Sequence, residues 1–292
     1  MVKSFPGHCA ESQHKRPSRQ QKPRQFRGAV ASSPSLSSSS SSMQLTPQQI
    51  DEFRQNGYLI IRGLFTGQSL ANVLRWTSDV EAWPETPGKA MKYFETSSQG
   101  GARLLQRIEN FYPFHDGFRQ LCESSEMQGI ATQLLGADAV LFKEKINFKL
   151  PGGAGFEPHQ DAQADWGRYS SFHITAMVSV DPCTLENGCL EMVAGYHDRG
   201  LIGDLWKPLD SAQMAGMDFI AVPTAPGDAI FFDSYAPHRS APNHTSQPRR
   251  VLYITYNRRA DGDWRQQYYA DKRKSFPPDC EREAGKVYEY KV

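Results

Sequence analysis

The stretch 172–180 reads FHITAMVSV, a β-branched and apolar run with the length of one buried strand. Similar short runs, separated by Gly and Pro, recur through the second half of the chain at 140–150, 189–193, 219–222, 229–232 and 251–256. Many short strands with turn residues between them are typical of an antiparallel sandwich or barrel. The sequence therefore predicts a β-rich fold from residue 139 onwards.

The preceding part of the chain has a helical pattern instead. Thr46 and Gln49 form a predicted capping box for a helix that starts at Pro47 and ends at Gly57. Further helical stretches are predicted up to residue 136, so the fold class is mainly β with flanking helices. We expect three parts: a helical buttress at 43–138, a β core at 139–260 and a C-terminal extension at 261–292.

Residues 1–42 differ in composition from the rest of the chain. They are rich in Ser and basic residues, contain the single acid Glu11 and offer few apolar side chains to bury, which predicts a disordered leader. Basic, Ser-rich and acid-poor segments are typical of organelle transit peptides. The alternative is that the segment is an untranslated leader, with Met43 as the true start, or a spacer.

Composition excludes several classes of protein. The 292 residues carry a net charge of +1, which lacks the basic excess of a dedicated nucleic-acid binder. No apolar run approaches the roughly 20 residues that a membrane span requires. Five scattered cysteines without a C-x-x-C pair or a secretory signal indicate reduced thiols in an intracellular protein, cytoplasmic or organellar according to the role of the leader. The oligomeric state stays open.

A candidate metal site lies in the β-rich half. His159 and Asp161 are two positions apart, so in an extended segment both side chains project to the same side. His238 follows a predicted buried strand by a short turn and can supply a third ligand. Two His and one carboxylate form the facial triad of non-haem Fe(II) oxygenases, which leaves positions open for a cosubstrate and O₂. Zinc could occupy the same ligands, but it has no redox chemistry, so an oxidation requires iron.

A candidate anion-binding group follows His238 in the sequence. Ser240 lies two residues beyond His238, and Arg249 opens a strand predicted to run beside the metal site. A guanidinium with a neighbouring hydroxyl can bind the distal carboxylate of a 2-oxo acid whose other end chelates iron. Because side chains alternate along a strand, only one of Arg249 and Arg250 can point inwards, and the sequence leaves open which one.

The order of these motifs resembles that of the phytanoyl-CoA dioxygenase family of Fe(II)/2-oxoglutarate oxygenases. The matching motifs are PHQD at 158–161, ENGCL at 186–190, GYH at 195–197, PGD at 226–228, HRSAPN at 238–243 and PRR at 248–250. The resemblance covers about residues 45–260. It implies a double-stranded β-helix, a cupin-like jelly roll, at 139–260. It also implies that His159, Asp161 and His238 bind Fe(II) and that Arg249 and Ser240 bind 2-oxoglutarate.

The resemblance implies further pocket residues. Gln160 and Lys145 are expected to line the cosubstrate pocket, and Arg107 is expected to reach it from the helical half. Other stretches, among them 159–166, 205–209 and 268–278, look similar to the 2-aminoethylphosphonate hydroxylases, a closer branch of the family. A small zwitterionic substrate requires cations for its phosphonate and an acid or aromatic for its ammonium. The cations available are Lys145, Lys149 and Arg168, and the other substrate-binding candidates are Glu109, Asn147, Asp165 and Trp166.

Three functions remain open from the sequence. They are a hydroxylase of a small polar metabolite such as 2-aminoethylphosphonate, an oxygenase of an acyl-CoA or other lipid, and a non-catalytic jelly-roll binding protein. The chain beyond residue 42 is mildly acidic, which favours a small substrate over CoA. The intact triad and Arg249 have no purpose in a binding protein, so the sequence favours an enzyme.

Overall fold

The computed structural model describes residues 43–97 and 100–288. The predicted leader at 1–42 lies outside the described residues. Within those ranges, no helix has the length and apolar character needed to cross a membrane.

Among the described residues, eleven strands form two antiparallel sheets. In chain order they are β1 (Tyr58–Ile61), β2 (Met91–Thr96), β3 (Arg103–Glu109), β4 (Ala139–Lys149), β5 (Phe156–His159), β6 (His173–Ser179), β7 (Leu190–Met192), β8 (Ile220–Val222), β9 (Ala229–Asp233), β10 (His238–Ser240) and β11 (Arg249–Arg258). The larger sheet has the order β1-β9-β6-β11-β4-β3-β2, and the smaller has the order β5-β10-β7-β8. This arrangement confirms the predicted jelly roll.

The two faces of the larger sheet bury different sets of side chains. On the inner face, Met177, Ile230 and Tyr253 pack with Leu190 and Met192 of the smaller sheet. On the outer face the core is formed between strands and helices, with Ile174, Val178, Phe231 and Ile254 packed with Phe53, Val73, Phe118 and Ile130. Because β6 is covered on both faces, all seven of its residues, His173–Ser179, are buried.

Five α-helices flank the sheets. They are α1 (Pro47–Asn56), α2 (Gly67–Glu81), α3 (Asp116–Cys122), α4 (Ile130–Leu135) and α5 (Arg265–Ser275). The predicted capping box is confirmed, since the Thr46 hydroxyl accepts from the Gln49 amide and the Gln49 side chain accepts from the Thr46 amide. Gly57 ends α1 at a φ of 79°, in the left-handed region that favours glycine.

The expectation of a mainly helical buttress at 43–138 requires a correction. Strands β2 and β3 pair with each other and extend the larger sheet, because the edge of β4 offers unpaired backbone groups that β3 satisfies. Arg107 and Glu109 therefore lie on a sheet strand, and Arg107 is in register with Asn147 of β4. Propensity alone did not distinguish these short segments from helices.

Candidate metal centre and adjoining pockets

Three elements bring the predicted metal ligands together at one end of the smaller sheet. His159 ends β5, and His238 begins β10 directly opposite it in the strand register. Asp161 starts a 3-10 turn rather than continuing the strand, which corrects the extended geometry assumed from the sequence. The Asp161 Oδ1 lies 3.9 Å from His159 Nε2 and 4.0 Å from His238 Nε2. One ligand atom from each residue lies within 4.8 Å of the others.

Backbone carbonyls orient both imidazoles. His159 Nδ1 lies 2.6 Å from the Glu157 carbonyl oxygen, and His238 Nδ1 lies 3.0 Å from that of Ala236. With Nδ1–H donating to a carbonyl, each Nε2 keeps its lone pair for a metal. Burial lowers the pKa of His238. Burial and the neighbouring His238 lower the pKa of His159 to about 3, so both imidazoles are neutral.

The carboxylate is also held in place. Asp161 Oδ2 accepts a hydrogen bond of 3.1 Å from the Thr175 hydroxyl, which leaves Oδ1 directed towards the two histidines. Burial by itself would raise the pKa of Asp161, but His238 and Lys145 lower it, so the group is an anion. Two neutral imidazoles and one carboxylate fit a divalent iron ion and leave further coordination positions open.

Next to the triad, a narrow pocket of about 20 Å³ extends towards a buried cationic group. Its lining includes Ser240, Asn147 and Tyr253. Arg249 lies on β11, as does the lining residue Tyr253; it is 1% exposed, and its Nε and Nη1 have no hydrogen-bond partner among the described residues. An uncompensated buried guanidinium is costly unless an anion binds it.

Lys149 strengthens this anion site. It is paired with Arg249 across β4 and β11, and its ammonium donates to the Ser240 hydroxyl at 2.8 Å and to the Ala241 carbonyl. Burial, together with the neighbouring Arg249, lowers the pKa of Lys149 to about 6. A buried guanidinium and a buried amine, whose protonated form an anion would favour, are therefore paired across β4 and β11.

The structure answers the question of which arginine faces inwards. The Arg250 side chain points to the opposite side of β11 and forms ion pairs with Asp181 at 2.9 Å and with Glu81 at 3.1 Å. Its charge is satisfied by these acids. Arg249 is therefore the residue available for a cosubstrate.

A second cavity, of about 430 Å³, opens on the other side of the triad. It shares His159, Asp161, Lys145 and Phe156 with the narrow pocket. Its wall is cationic and aromatic, and its polar and aromatic lining residues include Lys143, Asp165, Trp166, Arg168, Tyr169, Trp206, Tyr268, Asp271 and Lys272. The volume falls within the range of small-molecule sites.

Several predicted site residues lie together here. Lys145 lines both cavities. The substrate-binding candidates Asp165 and Trp166 line the larger one. Asn147, expected beside the substrate, lines the narrow pocket instead, because it lies further along β4 than Lys143 and Lys145, at the end where Ser240 lines the same pocket. Lys149, offered as a substrate cation, likewise lies at the narrow pocket.

Three other predicted residues require correction. Gln160 points away from its neighbour His159, and its amide bonds the carbonyls of Gly200 and Tyr235 and the amide of Ile202, so it anchors a loop. Arg107 lies 2.8 Å from Glu109, and both are buried. Glu109 also binds Lys272 at 2.8 and 2.7 Å, which leaves it unable to serve a substrate ammonium. Neither Arg107 nor Glu109 lines the two cavities.

Sequence reasoning also missed residues that line the larger cavity. Lys143 and the α5 residues Tyr268 and Lys272 belong to it. A signal for Lys143 was present, since β4 carries polar residues at every second position from 143 to 149, and Glu144 is the one polar residue of the strand outside that series. No local pattern indicated that α5 would cover the cavity.

A double-stranded β-helix with two imidazoles and one carboxylate gathered at one end of its smaller sheet is typical of the mononuclear non-haem iron oxygenases. The chain belongs to the phytanoyl-CoA dioxygenase (PhyH) family, whose pattern matches residues 53–251. This membership confirms the predicted enzyme class, an Fe(II)/2-oxoglutarate-dependent dioxygenase, and its cofactors.

Two relatives and one solved structure show how far the similarity extends. A 2-aminoethylphosphonate dioxygenase from an uncultured bacterium is 44% identical over 83% of this chain and 93% of its own length. A methylphosphonate hydroxylase from Gimesia maris is 43% identical over 80% of this chain and 88% of its own. The crystal structure of EctD from S. alaskensis with 2-oxoglutarate and 5-hydroxyectoine shares the fold, with a TM-score of 0.63 at 19% identity over 74% of this chain and 77% of that one.

Proposed function

We propose that the protein hydroxylates a small phosphonate, with 2-aminoethylphosphonate as the first candidate substrate. The overall reaction converts substrate C–H, 2-oxoglutarate and O₂ into the alcohol, succinate and CO₂. One oxygen atom enters the alcohol and the other enters succinate. Iron supplies the activation of O₂ when it is bound, and the chain supplies ligands, orientation and charge.

The observation that carries the proposal is the buried guanidinium of Arg249, whose Nε and Nη1 have no hydrogen-bond partner among the described residues. Its strand neighbour Lys149 bonds Ser240, which lines the narrow pocket together with His159, Asp161 and His238. In this assignment His159, Asp161 and His238 hold iron, and Arg249, Ser240 and Lys149 bind the distal carboxylate of 2-oxoglutarate. A buried Arg fork matches a carboxylate in geometry and charge.

The phosphonate assignment rests on the larger cavity and on the relatives. Lysines and aromatic rings around about 430 Å³ suit a compact anion better than the apolar channel required by an acyl chain. Two relatives that cover most of the chain are named for phosphonate oxidation. No described feature of the cavity favours the acyl-CoA alternative.

Succinate formation tests the proposal. The purified protein is incubated with Fe(II), 2-oxoglutarate and O₂, alone or with 2-aminoethylphosphonate, methylphosphonate or a branched acyl-CoA. We expect a phosphonate to stimulate succinate formation and to be converted stoichiometrically. Stimulation by the acyl-CoA alone would overturn the substrate assignment. Absence of any 2-oxoglutarate turnover in the iron-loaded protein would favour a binding protein.

A pair of histidine variants tests the metal assignment. We expect His238→Ala to abolish succinate formation, because it removes one of three iron ligands. His244 is exposed in a loop, so His244→Ala is the matched control and should keep full activity. Full 2-oxoglutarate turnover by His238→Ala would contradict the assignment.

A further inference from the structure

One face of β4 carries a row of polar side chains into the interior of the jelly roll. Residues 143, 145, 147 and 149 are Lys, Lys, Asn and Lys, and alternation directs all four to the same side. The row is divided between the two pockets. Asn147 lines the narrow pocket and Lys149 bonds its Ser240, Lys143 lines the larger cavity, and Lys145 lines both.

Lys143 is buried, and the described part of the chain gives its ammonium no carboxylate partner. It is 6% exposed, and its ammonium lies 4.8 Å from the ring centre of Trp166 and 5.3 Å from that of Tyr268. Within the described ranges, neither Lys143 nor Lys145 forms an ion pair with an acid. The rings compensate only part of the cost of burying an ammonium, so an anion in the cavity would stabilise both lysines.

The acids near this wall already have partners within the fold. Glu109 binds Lys272 and Arg107, and Asp161 is oriented towards the two histidines. Asp165 lies 3.8 Å from Arg168, and Asp271 accepts from the Tyr169 hydroxyl at 2.8 Å. The inner wall of the larger cavity therefore has an excess of positive charge next to the metal ligands.

The type of cation at each pocket indicates the type of anion. The narrow pocket is served by Arg249, whose planar fork matches a carboxylate. The inner wall of the larger cavity presents ammonium groups, which are compact point donors that can surround the oxygens of a tetrahedral group. Lys145 lies with His159 and Asp161, so an anion held there keeps its adjoining carbon near the metal ligands.

We propose that Lys143 and Lys145 form the subsite that binds the phosphonate group of the substrate and determines the preference for a dianionic tetrahedral head group. The proposal rests on the proposed function and adds the residues that select the substrate. Lys149, on the same face of the same strand, serves the cosubstrate instead and provides a matched comparison.

Binding measurements without turnover test this subsite. Protein loaded with Mn(II), a redox-inactive stand-in in this assay, is titrated calorimetrically with 2-aminoethylphosphonate, with its methyl monoester and with 2-oxoglutarate. We expect Lys143→Gln to weaken binding of the phosphonate about tenfold or more and to reduce the preference over the monoester, with unchanged binding of 2-oxoglutarate. Lys149→Gln should show the reverse pattern.

The possible failures are distinguishable. If the wild type binds phosphonate but Lys143→Gln and Lys145→Gln bind it equally well, the subsite is wrong and the proposed function stands. If the wild type binds no phosphonate, both proposals fail. Lys143→Met removes the charge at similar volume, and its thermal unfolding shows whether a loss of binding reflects a loss of folding; weaker binding by a folded Lys143→Met supports the subsite.

Discussion

Two adjacent arginines of β11 have opposite roles because a strand alternates its faces. Arg250 points outwards to Asp181 and Glu81, and its charge is compensated within the fold. Arg249 points inwards, where the described residues provide no acid for its Nε and Nη1. The difference of one position therefore separates a structural ion pair from a cation that is available for a ligand.

The two arginines should respond differently to the same substitution. We expect Arg249→Gln to raise the dissociation constant of 2-oxoglutarate about ten- to a hundredfold, because it removes charge-assisted hydrogen bonds worth about 1.5–3 kcal/mol. Arg250→Gln should leave that constant unchanged and affect only stability. Titration of both variants with 2-oxoglutarate compares them directly, and equal losses of affinity would refute the assignment.

A proton should accompany cosubstrate binding at Lys149. Since the pKa of Lys149 is lowered to about 6, its amine is mostly neutral in the free protein at pH 8. A bound carboxylate favours the ammonium and raises that pKa, so binding takes up a proton and affinity falls as the pH rises from about 6 to 8. Calorimetry in buffers of different ionisation enthalpy measures the uptake. Persistence of the same uptake in Lys149→Met would show that another group titrates.

At the scale of elements, α5 is joined to the sheet by buried polar contacts. Arg265 pairs with Glu144 of β4 at 2.6 Å, and the Tyr269 hydroxyl donates to the Glu144 carbonyl at 2.7 Å. Lys272 pairs with Glu109 of β3. Because α5 also provides Tyr268 and Lys272 to the larger cavity, these contacts hold one of its walls in place.

Neutralising Glu109 should destabilise the fold. Glu109→Gln leaves Lys272 and Arg107 buried without their counter-ion, which costs about 3–5 kcal/mol for a broken buried pair. Denaturant unfolding measures this loss. Asp204→Asn is the control, since it breaks a fully exposed pair with Lys207 and should not change stability measurably. A wild-type unfolding midpoint in Glu109→Gln would show that the pair contributes little.

At the scale of the molecule, the three candidate metal ligands lie on short elements. The smaller sheet consists of strands of three or four residues, and His159, Asp161 and His238 lie on β5, a turn and β10. Such short strands have little stability of their own. An ion bound by all three residues would join these elements and stabilise only the folded state.

Metal loading should therefore raise the melting temperature. At a metal concentration about a hundred times the dissociation constant, the gain is about 2.7 kcal/mol, or roughly 5–10 °C for a domain of this size. Mn(II) added after chelator treatment, followed by thermal unfolding, measures the shift. His159→Ala should abolish it. The same shift in that variant would place the bound ion elsewhere.

Much of the site could be predicted from the chain alone. The β-rich fold and the candidate triad follow from local patterns and from the chemistry of the residue types. The same reasoning predicts that the inward-facing arginine, Arg249 or Arg250, requires an anion. Strand alternation and ligand preference depend on a few neighbouring residues, and both can therefore be recognised in the sequence.

Tertiary structure decided which charges are compensated and which remain for ligands. The sequence made Glu109 a candidate for binding the substrate ammonium, but in the fold it binds Lys272, which lies 163 positions away in the chain. Gln160 resembled a pocket residue until loop carbonyls were found to occupy its amide. The pairing of β3 with β4, the cover by α5 and the division of the β4 lysines between two pockets depend on contacts between distant segments. Sequence determines the chemistry of each side chain, whereas its partners depend on the folded arrangement, because burial and proximity set the energy of a charge.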